Sequence, residues 1–139
     1  MFAGNKRDSW EELCEAGQRY YLKGQFNEAQ KLYTAALVAA KKARSGTSAD
    51  VAQIYSRLGD LHCESQEFER AELCFRNALV EYENLEGDYS VDICIALKRI
   101  SEICRMQSKN RQASNLAGRS QKLLEAKIRL LEKTFQESA

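Results

Sequence analysis

The sequence predicts an all-α protein, a right-handed α-solenoid built from three successive helix-turn-helix repeats. Three observations carry that prediction. The chain of 139 residues contains no proline, where ordinary usage would supply about seven, so nothing forbids long uninterrupted helices. Apolar residues recur at helical spacing through almost the whole length. The chain also matches itself at an offset of 42 residues, the kind of period that marks a stacked repeat architecture. At that offset Gly17 falls on Gly59, Phe26 on Phe68, Ala29 on Ala71, Tyr33 on Phe75, Ala36 on Ala78 and Leu37 on Leu79. A second step reaches Leu97, Ile100, Ser101, Ala113 and Ser120, a weaker copy.

Taken in order, the elements read as helices near 8–23, 26–44, 49–65, 68–86, 90–107 and 110–136. Ser9 followed by Glu12 makes a capping-box pattern at the first start. Leu13, Ala16, Gly17 and Tyr20 form one apolar face, and Ala29, Leu32, Tyr33, Ala36 and Leu37 form the next. Between them Lys23-Gly24-Gln25-Phe26 is a tight turn, with Gly24 free to take the positive φ of a helix end. Arg44 to Ser48 is a small-residue linker, and Glu86 to Ser90 occupies the equivalent place one repeat later. The repeats therefore run over about 10–47, 51–89 and 93–136 of a single domain, 1–139, with residues 1–7 as a short flexible N-terminus.

The small residues suggest close backbone approach. A mid-helix glycine costs roughly 1 kcal/mol against alanine, so Gly17 and Gly59 at corresponding places argue for a steric purpose. Gly17 with Ala29, and Gly59 with Ala71, are expected to give small-to-small contacts, with Tyr20, Phe26, Tyr33, Phe68 and Phe75 supplying bulk.

These residues resemble the tetratricopeptide repeat (TPR) family. The match runs through Tyr55, Leu58-Gly59, Phe68, Ala71, Phe75 and Ala78, and equally through Leu13, Ala16-Gly17, Tyr20, Gly24, Phe26, Ala29, Tyr33 and Ala36. The 42-residue period resembles the long-repeat subclass found in kinesin light chains and their bacterial relatives, rather than the family's usual 34. The third unit departs from the pattern: Ser101 replaces the glycine, Cys104 and Ala117 replace aromatics, and Asn110 replaces the turn phenylalanine, as in a drifted terminal repeat.

The resemblance implies a non-enzymatic interaction module or scaffold in which the first helix of each hairpin lines a concave groove for a partner peptide or helix. The groove residues it implies are Gln18, Tyr21, Leu22, Arg57, Asp60, Glu64, Lys98, Arg99, Glu102, Arg105 and Met106. A version of this groove that binds the acidic C-terminus of heat-shock chaperones uses two Lys, two Asn and an Arg. The matching places here hold Cys14, Gln18, Arg57, Ile95 and Arg99, and only Arg99 agrees, so that ligand is not implied.

Charge adds a direction. Residues 1–97 carry a net −5 and residues 98–139 a net +6, so an acidic segment of a partner would be steered toward the C-terminal end. Lys98, Arg99 and Arg105 would receive it. The last helix continues as Leu116, Leu123, Leu124, Ile128, Leu131 and Phe135, an amphipathic run. Its Leu124, Ile128 and Leu131 either cap the final hairpin or form a docking face through which copies of the chain oligomerise. Arg119, Lys122, Lys127, Arg129 and Lys133 cluster nearby without an aromatic platform, which disfavours nucleic-acid binding.

Other classes find no support. There is one histidine, no phosphate-cradling glycine loop and no nucleophile with a base, so no catalytic residue, cofactor or metal site is expected. His62 falls in an aromatic packing slot and reads as a core or rim residue. The longest apolar run, Ala35 to Ala40, is far short of the roughly 18 residues a membrane span needs. Five cysteines without CxxC spacing and no leader pattern read as free thiols of the cytoplasm.

Overall fold

A computed structural model describes residues 9–43 and 47–138; the expected N-terminal 1–7 and the linker residues Arg44, Ser45 and Gly46 lie outside them. Six helices follow one another: α1 (Trp10–Leu22), α2 (Phe26–Lys42), α3 (Ser48–Glu64), α4 (Phe68–Glu83), α5 (Ser90–Met106) and α6 (Asn110–Ser138). They pair as hairpins α1–α2, α3–α4 and α5–α6, and each hairpin packs on the next through α2 against α3 and α4 against α5. This is an all-α solenoid.

The starts follow from capping. Ser9 Oγ accepts from the Glu12 amide at 3.3 Å, which satisfies one of the orphan donors of α1. At α3 the box is complete: the Thr47 hydroxyl accepts from the Asp50 amide while Asp50 accepts from the Thr47 amide. That Thr-x-x-Asp pair was legible and went unread.

The turns inside the hairpins are one motif used three times. Gly24, Gln66 and Ser108 all take positive φ, at 77°, 59° and 63°, and stand 42 residues apart. After each, the amide bonds back to the carbonyl five residues earlier: Gln25 to Tyr20, Glu67 to His62 and Lys109 to Cys104. This is a Schellman closure, which normally takes glycine at the left-handed position. Only the first repeat supplies one. Sequence reading therefore found one of the three turns by its chemistry and the others by register alone.

The glycines of the hairpins have a different reason from the one expected. A Cβ on Gly17 would lie 2.7 Å from Tyr33 Cε1, and one on Gly59 would lie 2.6 Å from Phe75 Cε2. Each glycine thus makes room for an aromatic ring on the second helix, rather than for Ala29 or Ala71 as its nearest neighbour. The third repeat solves the same problem by exchanging both partners. Ser101 stands in the glycine's place, and Ala117 stands in the place of the ring. With no ring to accommodate, the serine fits, and its buried hydroxyl donates to the Ala113 carbonyl at 2.7 Å. What reads in the sequence as drift is a compensated pair. Tyr20, by contrast, is surface-exposed and adds no bulk to the core.

The core falls into clusters along the stack, with a small one of Ala52, Ala78 and Tyr82 between α3 and α4. Ala29, Tyr33, Ala36 and Ala40 of α2 meet Ile54, Leu58 and Leu61 of α3. Ala71, Phe75 and Leu79 of α4 meet Ala96, Leu97, Ile100 and Ile103 of α5, with Ala113 of α6 behind them. His62 is buried within α3 and its Nδ1 lies 3.1 Å from Glu67 Oε1, which bears out a core or rim role.

The cap reading of α6 fails for Leu124, Ile128 and Leu131, although Leu116 packs on the core as a cap would. The helix covers its hairpin as far as Lys127: Ser120 Oγ donates to the Cys94 carbonyl at 3.1 Å, and Arg119 and Lys127 pair with Glu83 and Asp88. Asp88 immediately precedes α5, so later residues run past the end of the hairpin. Leu124, Ile128 and Leu131 remain 44%, 46% and 55% exposed, and Phe135 80%. Among the described residues no helix is long and apolar enough to cross a membrane.

Candidate functional site

The 42-residue register fixes which side chains share a rung on the first helices, and the structure turns those rungs into a groove. Three adjoining hollows run across α1, α3 and α5. Gln18 and Arg57 are shared by the first two, of about 320 and 200 Å³, and Tyr21 and Asp60 by the second and the third, of about 560 Å³. The largest hollow is floored by Phe75, Tyr82 and Ala96 and bordered by Ser56, Asp92, Ile95 and Arg99. A further depression of about 660 Å³ is lined by α2 alone; with no second element converging on it, it has the form of an open helix face.

Two equivalent struts cross the groove. Arg57 Nη1 donates to Gln18 Oε1 at 2.9 Å, and Arg99 Nη2 donates to Asp60 Oδ1 at 2.6 Å. Gln18 and Asp60 are one repeat apart, as are Arg57 and Arg99, so each joint between hairpins carries the same bridge. The aromatic behind each glycine joins in: the Tyr33 hydroxyl donates to Gln18 Oε1 at 3.0 Å, and the Arg99 guanidinium lies 5.3 Å from the centre of the Phe75 ring. Arg99 also donates to Glu102 at 3.2 Å. Its charge is therefore divided between two carboxylates and a ring face.

This geometry sorts the expected residues. Gln18, Tyr21, Arg57, Asp60, Arg99 and Glu102 are brought together. Leu22, Glu64, Arg105 and Met106 lie exposed on the last turns of their helices, and Lys98 is exposed on α5; none of the five lines the hollows. Cys14, placed on a rung by register, is buried.

Tyr33, Phe75, Tyr82 and Asp92 were missed as groove residues. The sequence reads Tyr33 and Phe75 as packing residues and gives Tyr82 and Asp92, inside the helices near 68–86 and 90–107, no site role. The available signal was register: Asp92 stands one turn before Ile95, on the groove side of α5.

Electrostatics follow from burial and neighbours. Burial, then the nearby carboxylate of Asp92, pushes the Tyr82 hydroxyl up to about 12. Burial, then Glu64 and Asp60, raises the Tyr21 hydroxyl as well. Burial also raises the Cys63 thiol and, with Cys63, takes Cys74 up to about 11, so these groups are poor thiolates at neutral pH. Among the described residues no three metal-ligating side chains converge.

Comparison with known proteins agrees with the geometry. The crystal structure of BtubC (BKLC) from P. vanneervenii superposes with a TM-score of 0.79 at 21% identity over 84% of this chain. The chain spans 47% of that structure's length, so the likeness concerns the fold. No curated protein matches the chain. The family model described as tetratricopeptide repeat matches twice, over residues 13–79 and 50–126; its members generally mediate protein–protein interaction, and the chain belongs to the tetratricopeptide repeat family.

Proposed function

We propose that the chain is a non-enzymatic scaffold or adaptor that holds an extended peptide or a helix of a partner in the groove along α1, α3 and α5. The observation that carries this reading is the run of adjoining hollows, in which hydrogen-bonding groups converge over an aromatic floor. Lys98 and Arg105 are exposed and make no ion pair among the described residues, so an acidic stretch of the ligand would meet them rather than Arg99. Such contacts chiefly raise the association rate and weaken in salt. The free state of all five cysteines supports a cytoplasmic setting.

The test is selection of binders from a displayed peptide library, followed by amide-shift mapping on the labelled protein. Shifts on α1, α3 and α5 support the groove. Shifts confined to α2, α4 or the far half of α6 would refute it. A second reading is self-assembly through terminal helices, favoured by the exposed stripe Leu124, Ile128, Leu131 and Phe135. Its test is the dependence of sedimentation on protein concentration.

A further inference from the structure

The largest hollow of the groove contains two polar groups that make no side-chain hydrogen bond or ion pair among the described residues. The first is the Tyr82 hydroxyl. Tyr82 is only 6% exposed, lines the hollow and makes no side-chain hydrogen bond among the described residues. The ring is enclosed, but the hydroxyl is not one of the buried polar atoms left without a partner, which among the described residues are Trp10 Nε1 and Gln107 Oε1; it opens into the hollow, where a ligand can reach it. The second is the Asp92 carboxylate, which lines the same hollow and has no ion-pair partner among the described residues. The two line the same hollow, one from α4 and the other from α5.

The other charges facing this space come from α3 and α5. Asp60 and Glu102 both bind Arg99, so the one cation lining the hollow among the described residues is already matched by two anions. Glu64 adds a further carboxylate near Tyr21. The hollow therefore carries surplus negative charge at its Asp92 side over a floor of Phe75, Tyr82 and Ala96. An anion placed there would meet Asp92 unpaired, and a purely apolar group would bury that carboxylate without a partner.

We propose that this hollow is the subsite for a basic side chain, Lys or Arg, of an extended partner segment. Its stem lies along Ile95, Ala96 and Phe75, and its cationic head is held by Asp92 and the Tyr82 hydroxyl. An aliphatic stem on an apolar wall with a charged tip at a carboxylate suits either residue, and the aromatic floor adds a ring face for the cation. The subsite rests on the groove reading and gives it a chemical specificity. The partner would present a base to this hollow and acidic residues to the exposed Lys98 and Arg105.

The experiment uses the full chain, isotopically labelled, and four capped Ser/Ala nonapeptides that differ only at the centre: Arg, Lys, Leu or Glu. The Arg and Lys peptides should shift the amides around Asp92 and Ala96 and bind about tenfold more tightly than the other two at low salt. Asp92→Asn should remove that preference, and Asp92→Glu should keep it. Melting curves of both variants confirm that the helix is intact. Tighter binding of the Glu or Leu peptide in the hollow overturns the subsite and leaves the groove reading standing. A base preference that survives Asp92→Asn also overturns it. So does the absence of shifts with all four peptides, in which case the groove reading stands or falls separately on the library-selected binders.

Discussion

Adding one methyl group to Gly59 tests the hairpin packing at its tightest point. A Cβ there would sit 2.6, 2.7 and 2.8 Å from three atoms of the Phe75 ring, closer than carbon atoms approach without movement. The ring is almost wholly buried among Ala71, Leu79, Leu97 and Ile100, and it can retreat only toward the hollow it floors, disturbing its contact with Arg99. Overpacking of this kind costs about 1–3 kcal/mol. Gly→Ala in a helix also gains up to about 1 kcal/mol of propensity, which obscures the clash if Gly59→Ala is measured alone.

Gly118 of α6 supplies the control, because a Cβ there meets nothing within 4 Å. The propensity gain is common to both variants, so the difference between Gly59→Ala and Gly118→Ala isolates the clash. For a chain of this size 1 kcal/mol corresponds to roughly 4 °C in Tm. Gly118→Ala should melt at or above the parent, and Gly59→Ala about 4–12 °C below Gly118→Ala. In a Phe75→Ala background the Gly59→Ala change should become neutral or favourable, as the Ser101–Ala117 pair of the third repeat implies. Equal melting of the two glycine variants, or no coupling to Phe75, would refute the packing argument.

Four other outcomes follow from the same geometry. Gln66→Gly should stabilise by about 1 kcal/mol in urea or thermal unfolding, because a left-handed position strains a residue with a Cβ. Arg99→Glu should lower stability by about 1 kcal/mol, since it sets a third carboxylate beside Asp60 and Glu102, whereas Arg105→Glu should leave Tm unchanged. Leu124→Lys with Leu131→Lys should leave helicity and Tm unaltered, both sites being exposed, while any self-association seen by sedimentation should vanish if that stripe carries it. Glu72 is half-buried; burial raises its carboxyl, but hydrogen bonds and charge from Arg76 and Lys109 outweigh that and hold it below its usual value. Its contribution is therefore complete above the ordinary carboxylate range and lost as pH falls through the lowered folded value. Glu72→Gln should show a flatter loss of Tm between neutral and acidic pH than the parent.

The six helices were legible because packing residues repeat at a fixed spacing, and apolar periodicity survives even where identity is lost. The third repeat shows the limit of that signal. Ser101 and Ala117 read as two separate departures, because only the fold shows that the glycine and the ring they replace touch in the other two repeats. The turns at Gln66 and Ser108 carry no local mark of a left-handed residue; tertiary packing imposes it on side chains that would avoid it. In the groove the repeat register puts Gln18 with Asp60 and Arg57 with Arg99 at equivalent places, but it says nothing of how their charges pair. Arg99 reads as a free cation in sequence, and its partner Asp60 lies in the preceding repeat, with Phe75 behind it. Tyr82 and Asp92 were concealed for another reason: both lie inside helices, and nothing local marks either as facing the groove.

A photo-crosslinking amino acid placed in turn at Ile95, Val80 and Ile128 tests the groove reading most directly. All three sites are exposed; the first borders the largest hollow, the second lies on α4, the second helix of its hairpin, and the third on the free stripe of α6. The account predicts adducts with another polypeptide from Ile95 and none from Val80 or Ile128. Adducts from Val80 or Ile128 with none from Ile95 would contradict it.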